Sequence, residues 1–225
     1  MRYTDYFEYI LSIPISVYCN IRLLPFRQAC KLPILVRYNT RLIRLGGGEF
    51  LLPEKIHPGM VKIGFNKVGV FDVKYERSIL EIDGIMKIKG CATWGQGARI
   101  CILKGGNLLI GKNFLNNAAM TIICKKSIVV GDNVLTSWNT LIMDTDFHHV
   151  LDISTGRINN CAQKIVIGNN VWIGTRAVVL KGSEIQDGSI IGSMSLVNKK
   201  FDKKNCLIAG NPASIKKENL TKYNR

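Results

Sequence analysis

The sequence predicts an all-β chain that folds as a parallel β-helix, with a partly helical segment before it and a short tail after it. The first observation is a six-residue spacing of aliphatic residues that runs unbroken from residue 167 to residue 197. The second is that Gly, Asn, Asp and Ser recur between them, and these residues accept tight turns. The spaced residues are Ile167, Ile173, Val179, Ile185, Ile191 and Val197. This pattern is typical of a parallel β-helix, in which each repeat forms a short strand and a turn.

The same spacing occurs earlier in the chain, with two changes of phase. The spacing is ten residues from Ile100 to Ile110 and eight from Ile122 to Val130, and we expect the extra residues to lie in turns. Because three repeats make a triangular coil of about 18 residues, His148 is expected to stack on Val130. The repeat then stops, which predicts an extruded loop at about residues 148–165. The earlier spaced residues are Ile82, Ile88, Trp94, Ile100, Ile110, Asn116, Ile122, Val130, Thr136 and Ile142.

A β-sandwich is the competing all-β architecture, and the turn residues argue against it. Sandwich strands alternate with a period of two and are joined by hairpins, for which Asn-Gly and Asp-Gly are the usual signals. Such pairs occur only at Asp83-Gly84 and Asp187-Gly188, and both fit as turns of the six-residue repeat.

The pattern divides the chain into three parts. Residues 1–60 are an N-terminal capping segment, 61–208 the β-helix and 209–225 a C-terminal tail. The uncharged stretch from Tyr9 to Ile21 is too short to span a bilayer, and Pro14 interrupts it. No small-residue cleavage site follows, so it does not read as a signal peptide. We interpret this stretch as a buried or interface helix.

Basic residues alternate with apolar ones after this stretch, which allows two interpretations. The apolar residues can cover the open end of a repeat structure while the basic ones face water. An amphipathic basic segment can also lie on an anionic membrane surface. We favour the capping role and keep peripheral membrane contact as the second interpretation. The basic residues are Arg22, Arg27, Lys31, Arg37, Arg41 and Arg44.

Charge and cysteine usage narrow the classes of partner. The formal net charge of +15 favours an anionic partner, but no nucleic-acid-binding motif is present, so we expect no nucleic acid. The cysteines lack the paired spacing of a metal site or a disulfide framework, which predicts reduced thiols in a cytoplasmic protein without a bound metal. The cysteines are Cys19, Cys30, Cys91, Cys101, Cys124, Cys161 and Cys206.

From Ile110 to Lys217 the chain resembles the hexapeptide-repeat acyltransferases, which are left-handed β-helix acetyltransferases of sugars and related small molecules. Weaker similarity at Leu24-Pro-Phe-Arg-Gln-Ala and Lys31-Leu-Pro-Ile points to the branch that modifies surface polysaccharides. The resemblance implies a left-handed β-helix and a homotrimer with acetyl-CoA bound between subunits. The motifs are Val130-Gly-Asp-Asn-Val-Leu, Asp144-Thr-Asp-Phe-His, Ile167-Gly-Asn-Asn-Val-Trp-Ile-Gly and Ala209-Gly-Asn-Pro-Ala.

The expected reaction is transfer of an acetyl group from acetyl-CoA to a sugar hydroxyl, which needs a base to remove the hydroxyl proton. Imidazole suits this role because it exchanges its proton near neutral pH. In relatives the histidine that ends the acidic, polar motif is the base, so we predict His148 in preference to its neighbour His149. His57 lies outside the repeats. Asp144 or Asp146 could orient the imidazole, or either could form a turn.

The resemblance also implies residues for the two substrates. Asn117, Asn139 and Trp172 are predicted to face the acceptor, although Asn139 could instead belong to a turn ladder of asparagines. Trp172, Thr175 and Ser193 are predicted to lie along the pantetheine arm of acetyl-CoA. Lys199 and Lys217 are predicted near its phosphates, within a basic run that could equally be a solvated surface.

Two other functions remain open from the sequence, and a third is disfavoured. The acceptor could be serine or an amine of a nucleotide sugar, or the chain could be a binding module without catalysis. A metal-dependent lyase of similar fold would need three spaced histidine ligands, which His57, His148 and His149 do not supply.

Overall fold

The structure is a computed structural model that describes residues 3–72 and 74–220, and its main body is a three-sided prism of short strands. Each coil adds one strand in turn to three sheets, named here A, B and C, and neighbouring coils pair in parallel. We call the corner where a coil passes from sheet A into sheet B the A–B edge. The corner between sheets B and C is the B–C edge.

The helices and strands of the described residues follow one another coil by coil. The helices are α1 (Tyr3–Leu11), α2 (Ile13–Leu23) and α3 (Phe26–Ala29). The first three coils are β1 (Ile34–Val36), β2 (Arg41–Leu45), β3 (Glu49–Leu51); β4 (Val61–Ile63), β5 (Ile79–Ile82), β6 (Ile85–Ile88); and β7 (Ala92–Gln96), β8 (Arg99–Ile102), β9 (Asn107–Ile110). The next three are β10 (Phe114–Ala118), β11 (Thr121–Cys124), β12 (Ser127–Val130); β13 (Leu135–Trp138), β14 (Leu141–Met143), β15 (Ile165–Ile167); and β16 (Trp172–Ile173), β17 (Val178–Leu180), β18 (Glu184–Ile185). The last strands are β19 (Ile190–Ile191), β20 (Leu196–Val197), β21 (Leu207–Gly210) and β22 (Ala213–Lys217).

The six-residue spacing is confirmed as the set of inward-pointing residues. In the last coils the register advances by 18 residues, since Trp172 pairs with Ile190. In the middle coils Ile100 pairs with Ile122, and the extra residues lie in turns as predicted. The aliphatic residues of the series are almost completely buried and stack coil on coil in one continuous core. Stacking of this kind removes apolar surface from water in every repeat, so the spacing itself specifies the fold.

The predicted stacking of His148 on Val130 is wrong. Val130 pairs with Ile167, which is 37 residues further along the chain. The reason is a long insertion between β14 and β15, at the B–C edge, which takes His148 out of the coil. Ile142 in β14 pairs with Val179 in β17, so the coils above and below the insertion keep their register.

The domain boundaries also need correction. The β-helix begins at Ile34, because β1, β2 and β3 already occupy the ends of the three sheets. The extruded loop begins closer to Asp144 than to residue 148, since Thr145 already bridges to Ala162 across its base. Residues 209–225 are more than a tail, because β22 folds back antiparallel onto β21 and extends sheet A.

Helix α2 closes the first end of the prism, as the capping interpretation predicts. The Asn20 side chain donates to the Ile34 carbonyl at 2.6 Å and accepts from the Ile34 N–H at 3.2 Å. The Ser16 hydroxyl accepts from the Val36 N–H at 2.9 Å. These side chains take the place of a neighbouring strand, so the backbone groups of β1 at the edge of sheet A are satisfied. None of the helices in the described residues has the length and apolarity needed to cross a bilayer.

Candidate active site

A groove of about 480 Å³ runs along the A–B edge of the last coils. It brings together three of the predicted site residues, Asn139, Thr175 and Ser193. The other residues that line it are Val70, Phe71, Trp138, Arg176 and Met194. Aromatic and aliphatic walls with a few hydroxyl and amide groups are the usual lining of a site for a long ligand that has apolar and polar parts.

The groove follows a ladder of residues in the left-handed conformation, one at each turn from sheet A to sheet B. Asn139, Arg176 and Met194 have φ values of 53°, 57° and 58°. The Arg176 N–H donates to the Trp138 carbonyl at 2.8 Å, and the Met194 N–H donates to the Thr175 carbonyl at 2.9 Å. Asn tolerates this conformation better than most residues. Asn139 therefore belongs to a ladder of turn residues that also lines the groove, but the ladder is not one of asparagines, since its next members are Arg176 and Met194.

Phe71 is a groove residue that the sequence analysis missed. It belongs to a loop between β4 and β5, at the same A–B edge as the groove. Its ring meets the Trp138 ring edge to face, with centroids 6.2 Å apart, and the buried Gln96 side chain donates to its carbonyl at 3.1 Å. The available signal was the break in the repeat between Ile63 and Ile79, which resembles the break at His148 but carries no family motif.

The outward face of sheet A borders this groove and carries two more predicted residues. Trp172 is 38% exposed, and its indole N–H donates to the Ser137 hydroxyl at 3.1 Å. The register of β10 with β13 aligns Asn117 with Ser137 on the neighbouring strand. Trp172 lies three residues before Thr175. The predicted acceptor residues Asn117 and Trp172 thus share one face with Ser137 between them.

His148 lies on the loop inserted at the B–C edge and is exposed. Its neighbour His149 contacts the Asn159 carbonyl through Nδ1 at 3.2 Å, which ties the two sides of the loop together. In the described part of the chain no hydrogen bond or ion pair engages the His148 imidazole. The structure therefore gives His149 a bond within the loop and leaves the His148 ring open to an incoming group.

Asp144 caps a turn, which is the alternative role that the sequence left open. It is fully buried, and its two carboxylate oxygens accept the backbone N–H groups of Lys125, Lys126 and Ser127 at 2.7, 2.8 and 2.7 Å. Three donors to one carboxylate use most of its acceptor capacity, as in a helix cap or a tight-turn cap. Asp144 thus holds the B–C corner of the coil below, and its role in orienting the imidazole stays a prediction without a contact to the imidazole in this structure.

Asp146 also has a partner other than His148. Its carboxylate forms an ion pair with the Lys181 ammonium, and Lys181 donates to the Asn160 carbonyl at 2.8 Å. These contacts join the base of the loop to the coil above it. The role of Asp146 in orienting the base stays a prediction, without a contact to the imidazole in this structure.

The basic C-terminal end divides into paired and unpaired lysines. Lys200, Lys203 and Lys204 form ion pairs with acidic side chains at 3.4, 2.7 and 3.5 Å. Lys199 and Lys217, the two predicted near the phosphates, have no ion-pair partner within residues 3–72 and 74–220. They are not on one strand, since Lys199 follows β20 of sheet B and Lys217 ends β22 of sheet A.

The structure does not bring His148 and the groove together within one chain. The groove follows the A–B edge, whereas the loop leaves the prism at the B–C edge, and sheet B lies between the two edges. The loop projects into solvent, with Leu151 and Ile158 bridged in an antiparallel pair and Ile153 93% exposed at its tip.

No three His, Cys, Asp or Glu side chains of the described residues lie close enough to hold a metal ion.

Known proteins share this architecture. The repeat described as "Bacterial transferase hexapeptide (six repeats)" matches residues 164–199. The galactoside O-acetyltransferase of Escherichia coli (strain K12) is 38% identical over 116 residues, which cover 51% of this chain and 55% of that protein. The "Uncharacterized 24.8 kDa protein in cps region" of Klebsiella pneumoniae is 32% identical over 200 residues, which cover 89% of this chain and 86% of that protein.

A solved structure supports the fold independently of close sequence similarity. The polySia-specific acetyltransferase NeuO superposes with a TM-score of 0.57 at 22% identity, covering 89% of this chain and 86% of that one. The chain spans about half the length of several curated relatives it matches, for example 55% of the galactoside O-acetyltransferase. The predicted left-handed β-helix is confirmed, and the chain belongs to the bacterial hexapeptide-repeat transferases.

Proposed function

We propose that this protein is an O-acetyltransferase that transfers the acetyl group of acetyl-CoA to a sugar hydroxyl of a surface polysaccharide or its precursor. The observation that carries the proposal is the groove at the A–B edge, where Thr175 and Ser193 lie next to the face that bears Asn117 and Trp172. One groove and one adjoining polar face match the two substrates of a direct transfer. The similarity to sugar O-acetyltransferases supports the same reaction class.

In the proposed mechanism the His148 imidazole removes the proton of the acceptor hydroxyl as its oxygen attacks the thioester carbonyl carbon. The C–S bond then breaks, and the sulfur of coenzyme A takes a proton back from the imidazolium. The acetyl ester and free coenzyme A are the products, and no acyl-enzyme is formed. The adenine nucleotide end of coenzyme A carries the phosphates that we assign to Lys199 and Lys217.

The assembly that we propose is a homotrimer in which each site is shared. His148 and the groove lie on different edges of one prism, so a second copy has to supply the base to the groove of the first. The exposed apolar side chains of the loop are suited to pack on that second copy, among them Leu151, Ile153 and Ile158. We also propose a cytoplasmic location, in keeping with the seven free thiols.

The test of the base is release of coenzyme A thiol with a panel of glycan acceptors, comparing wild type with His148→Ala and with the matched neighbour His149→Ala. We expect His148→Ala to lower kcat by about 10²-fold or more, because a general base contributes about that much. His149→Ala should change kcat little, since its imidazole only bonds within the loop. Equal activity of His148→Ala and wild type would remove this residue from the mechanism. Absence of release with every acceptor would instead favour a binding module.

The shared site has its own experiment, in which two inactive variants are refolded or co-expressed together. His148→Ala lacks the base, and Ser193→Trp fills the groove. If base and groove come from different copies, about a quarter of the sites in randomly mixed assemblies contain both intact parts. Recovery of activity on mixing is the expected result. Lack of recovery, with both variants assembled normally, would mean that one chain provides the whole site.

A further inference from the structure

The outer face of the N-terminal cap is apolar, which is unusual for the end of a repeat protein. Caps of repeat proteins normally present a polar outer face to water. Here Glu8 of α1 turns inward, where it binds the buried Arg37 at 2.9 Å and Lys67 at 2.7 Å. Asn20 and Ser16 of α2 likewise turn inward to bond β1. Large apolar side chains of both helices are left exposed on the outside.

This outer face, called here the cap surface, is continuous along the helices. On α1 it contains Phe7, Ile10 and Leu11, spaced three and four residues apart, and on α2 it contains Tyr18 and Ile21 at helical spacing. Their exposed fractions are large, from 43% for Leu11 to 79% for the Phe26 side chain that extends the surface onto α3. The members of the cap surface are Phe7, Ile10, Leu11, Ile13, Tyr18, Ile21 and Phe26.

The charged residues beside the α2 and α3 parts of the cap surface are basic. From residue 9 to residue 48 the sequence contains no Asp or Glu. Arg22 and Arg27 directly follow the exposed Ile21 and Phe26, and Lys31 follows α3. No ion pair neutralises these three cations within the described residues. An apolar surface bordered by Arg22, Arg27 and Lys31 is complementary to a surface that offers hydrocarbon beneath a layer of negative charge.

We propose that the cap surface docks the protein on an anionic lipid bilayer, with α1 and α2 lying in the plane of the headgroups and the first coil toward the membrane. The helices are 9 and 11 residues long, which suits lying on the bilayer and not crossing it. A second copy of the same face is a poorer partner, because pairing it with itself would bring the unneutralised Arg22, Arg27 and Lys31 of two chains together. Membrane docking does not depend on the chemistry of the groove.

The test is flotation of the full-length protein with vesicles of phosphatidylcholine alone or with about a third of phosphatidylglycerol, at low and high salt. Wild type is expected to float with the anionic vesicles, and its binding should fall severalfold with neutral vesicles or with high salt. Ile21→Ser with Phe26→Ser should lower the partition coefficient about tenfold or more, since two apolar side chains no longer enter the bilayer. Arg27→Gln with Lys31→Gln should lower it about tenfold as well.

The matched control is Tyr75→Ser, which removes a large side chain that is 74% exposed and lies outside the cap surface. Its vesicle binding should equal that of wild type. All variants change exposed residues, and their circular dichroism and melting temperature report whether they stay folded. Equal flotation of wild type and the Ile21/Phe26 variant would overturn the proposal. The proposal would also be overturned if wild type bound no vesicles and the Ile21/Phe26 variant sedimented differently from wild type. The cap surface would then be a contact between copies of the chain.

Discussion

The contacts of Asp144 lead to a prediction about stability. Its carboxylate accepts three backbone N–H groups, from Lys125, Lys126 and Ser127, in a fully buried position. Its own carbonyl accepts the Gln163 N–H at 2.9 Å, so one residue fastens the corner below and the end of the inserted loop. Replacing Asp144 with Asn keeps the shape and one oxygen, but turns an N–H₂ group toward backbone donors.

The size of the effect follows from these bonds. A hydrogen bond to a charged group contributes about 1.5–3 kcal/mol, and Asp144→Asn loses at least one and opposes donor to donor. We expect the free energy of unfolding to fall by about 3–5 kcal/mol. For a chain of 225 residues this lowers the melting temperature by roughly 10 °C. Asp146→Asn is the matched control, because its partly exposed ion pair with Lys181 contributes about 1 kcal/mol at most.

The assay is thermal unfolding followed by circular dichroism, at one protein concentration because the melting temperature of an oligomer depends on it. Acetyl transfer is measured on the same samples well below their melting temperatures. The structural role of Asp144 would be refuted if Asp144→Asn melted within about 2 °C of wild type. If such a stable variant also lost its transfer activity, Asp144 would have to act on His148 after all.

Two further predictions follow from the groove and from a buried thiol. Phe71→Ala should raise the KM for acetyl-CoA about tenfold with little change in melting temperature, because its half-buried ring lines the groove against Trp138. Tyr75→Ala in the same loop is the control. An equal KM in both variants would exclude Phe71 from acetyl-CoA binding. Burial, together with the charge of Asp144, raises the pKa of the Cys124 thiol from 9.0 to about 12. Between pH 9 and 12 the folded chain therefore keeps this thiol protonated, whereas the unfolded chain ionises it. The stabilising contribution of Cys124 is fully present below pH 9. Above pH 9 it declines by up to about 1.4 kcal/mol per pH unit. Urea unfolding at pH 8 to 10.5 should show a steeper loss of stability for wild type than for Cys124→Ala, and parallel curves would contradict the shift.

The core of this protein could be predicted from sequence because every coil imposes the same local demand. Each strand sends one or two side chains inward, mostly aliphatic, and the corners of two to four residues in the regular coils then repeat at nearly constant spacing. That periodicity survives even where a polar residue occupies an inward position. Asn116 is completely buried in phase with its neighbours, where its amide donates to the Thr136 hydroxyl at 3.0 Å. The family motifs likewise located the groove residues Thr175 and Ser193.

The extent of the first coil was harder to predict. The strands β1, β2 and β3 do not follow the six-residue spacing. Only their pairing with β4, β5 and β6 shows that they belong to the prism. Such pairing is a contact between residues about 27 to 38 positions apart, which local spacing does not reveal. The sequence alone therefore placed the start of the β-helix too late.

The sequence by itself determined the repeat, the inward residues, the family and the existence of a loop at the break beside His148. Only the tertiary structure decided which edge of the prism each insertion leaves from, and hence that His148 and the groove lie on different edges. The reason is that the regular coils vary in length between 18 and 22 residues. The number of residues along the chain therefore does not tell at which edge of the prism a residue lies. The sequence also could not decide between the two candidate roles of Asp144. Its partners are backbone N–H groups 17 to 19 residues earlier, and backbone donors leave no mark in the sequence.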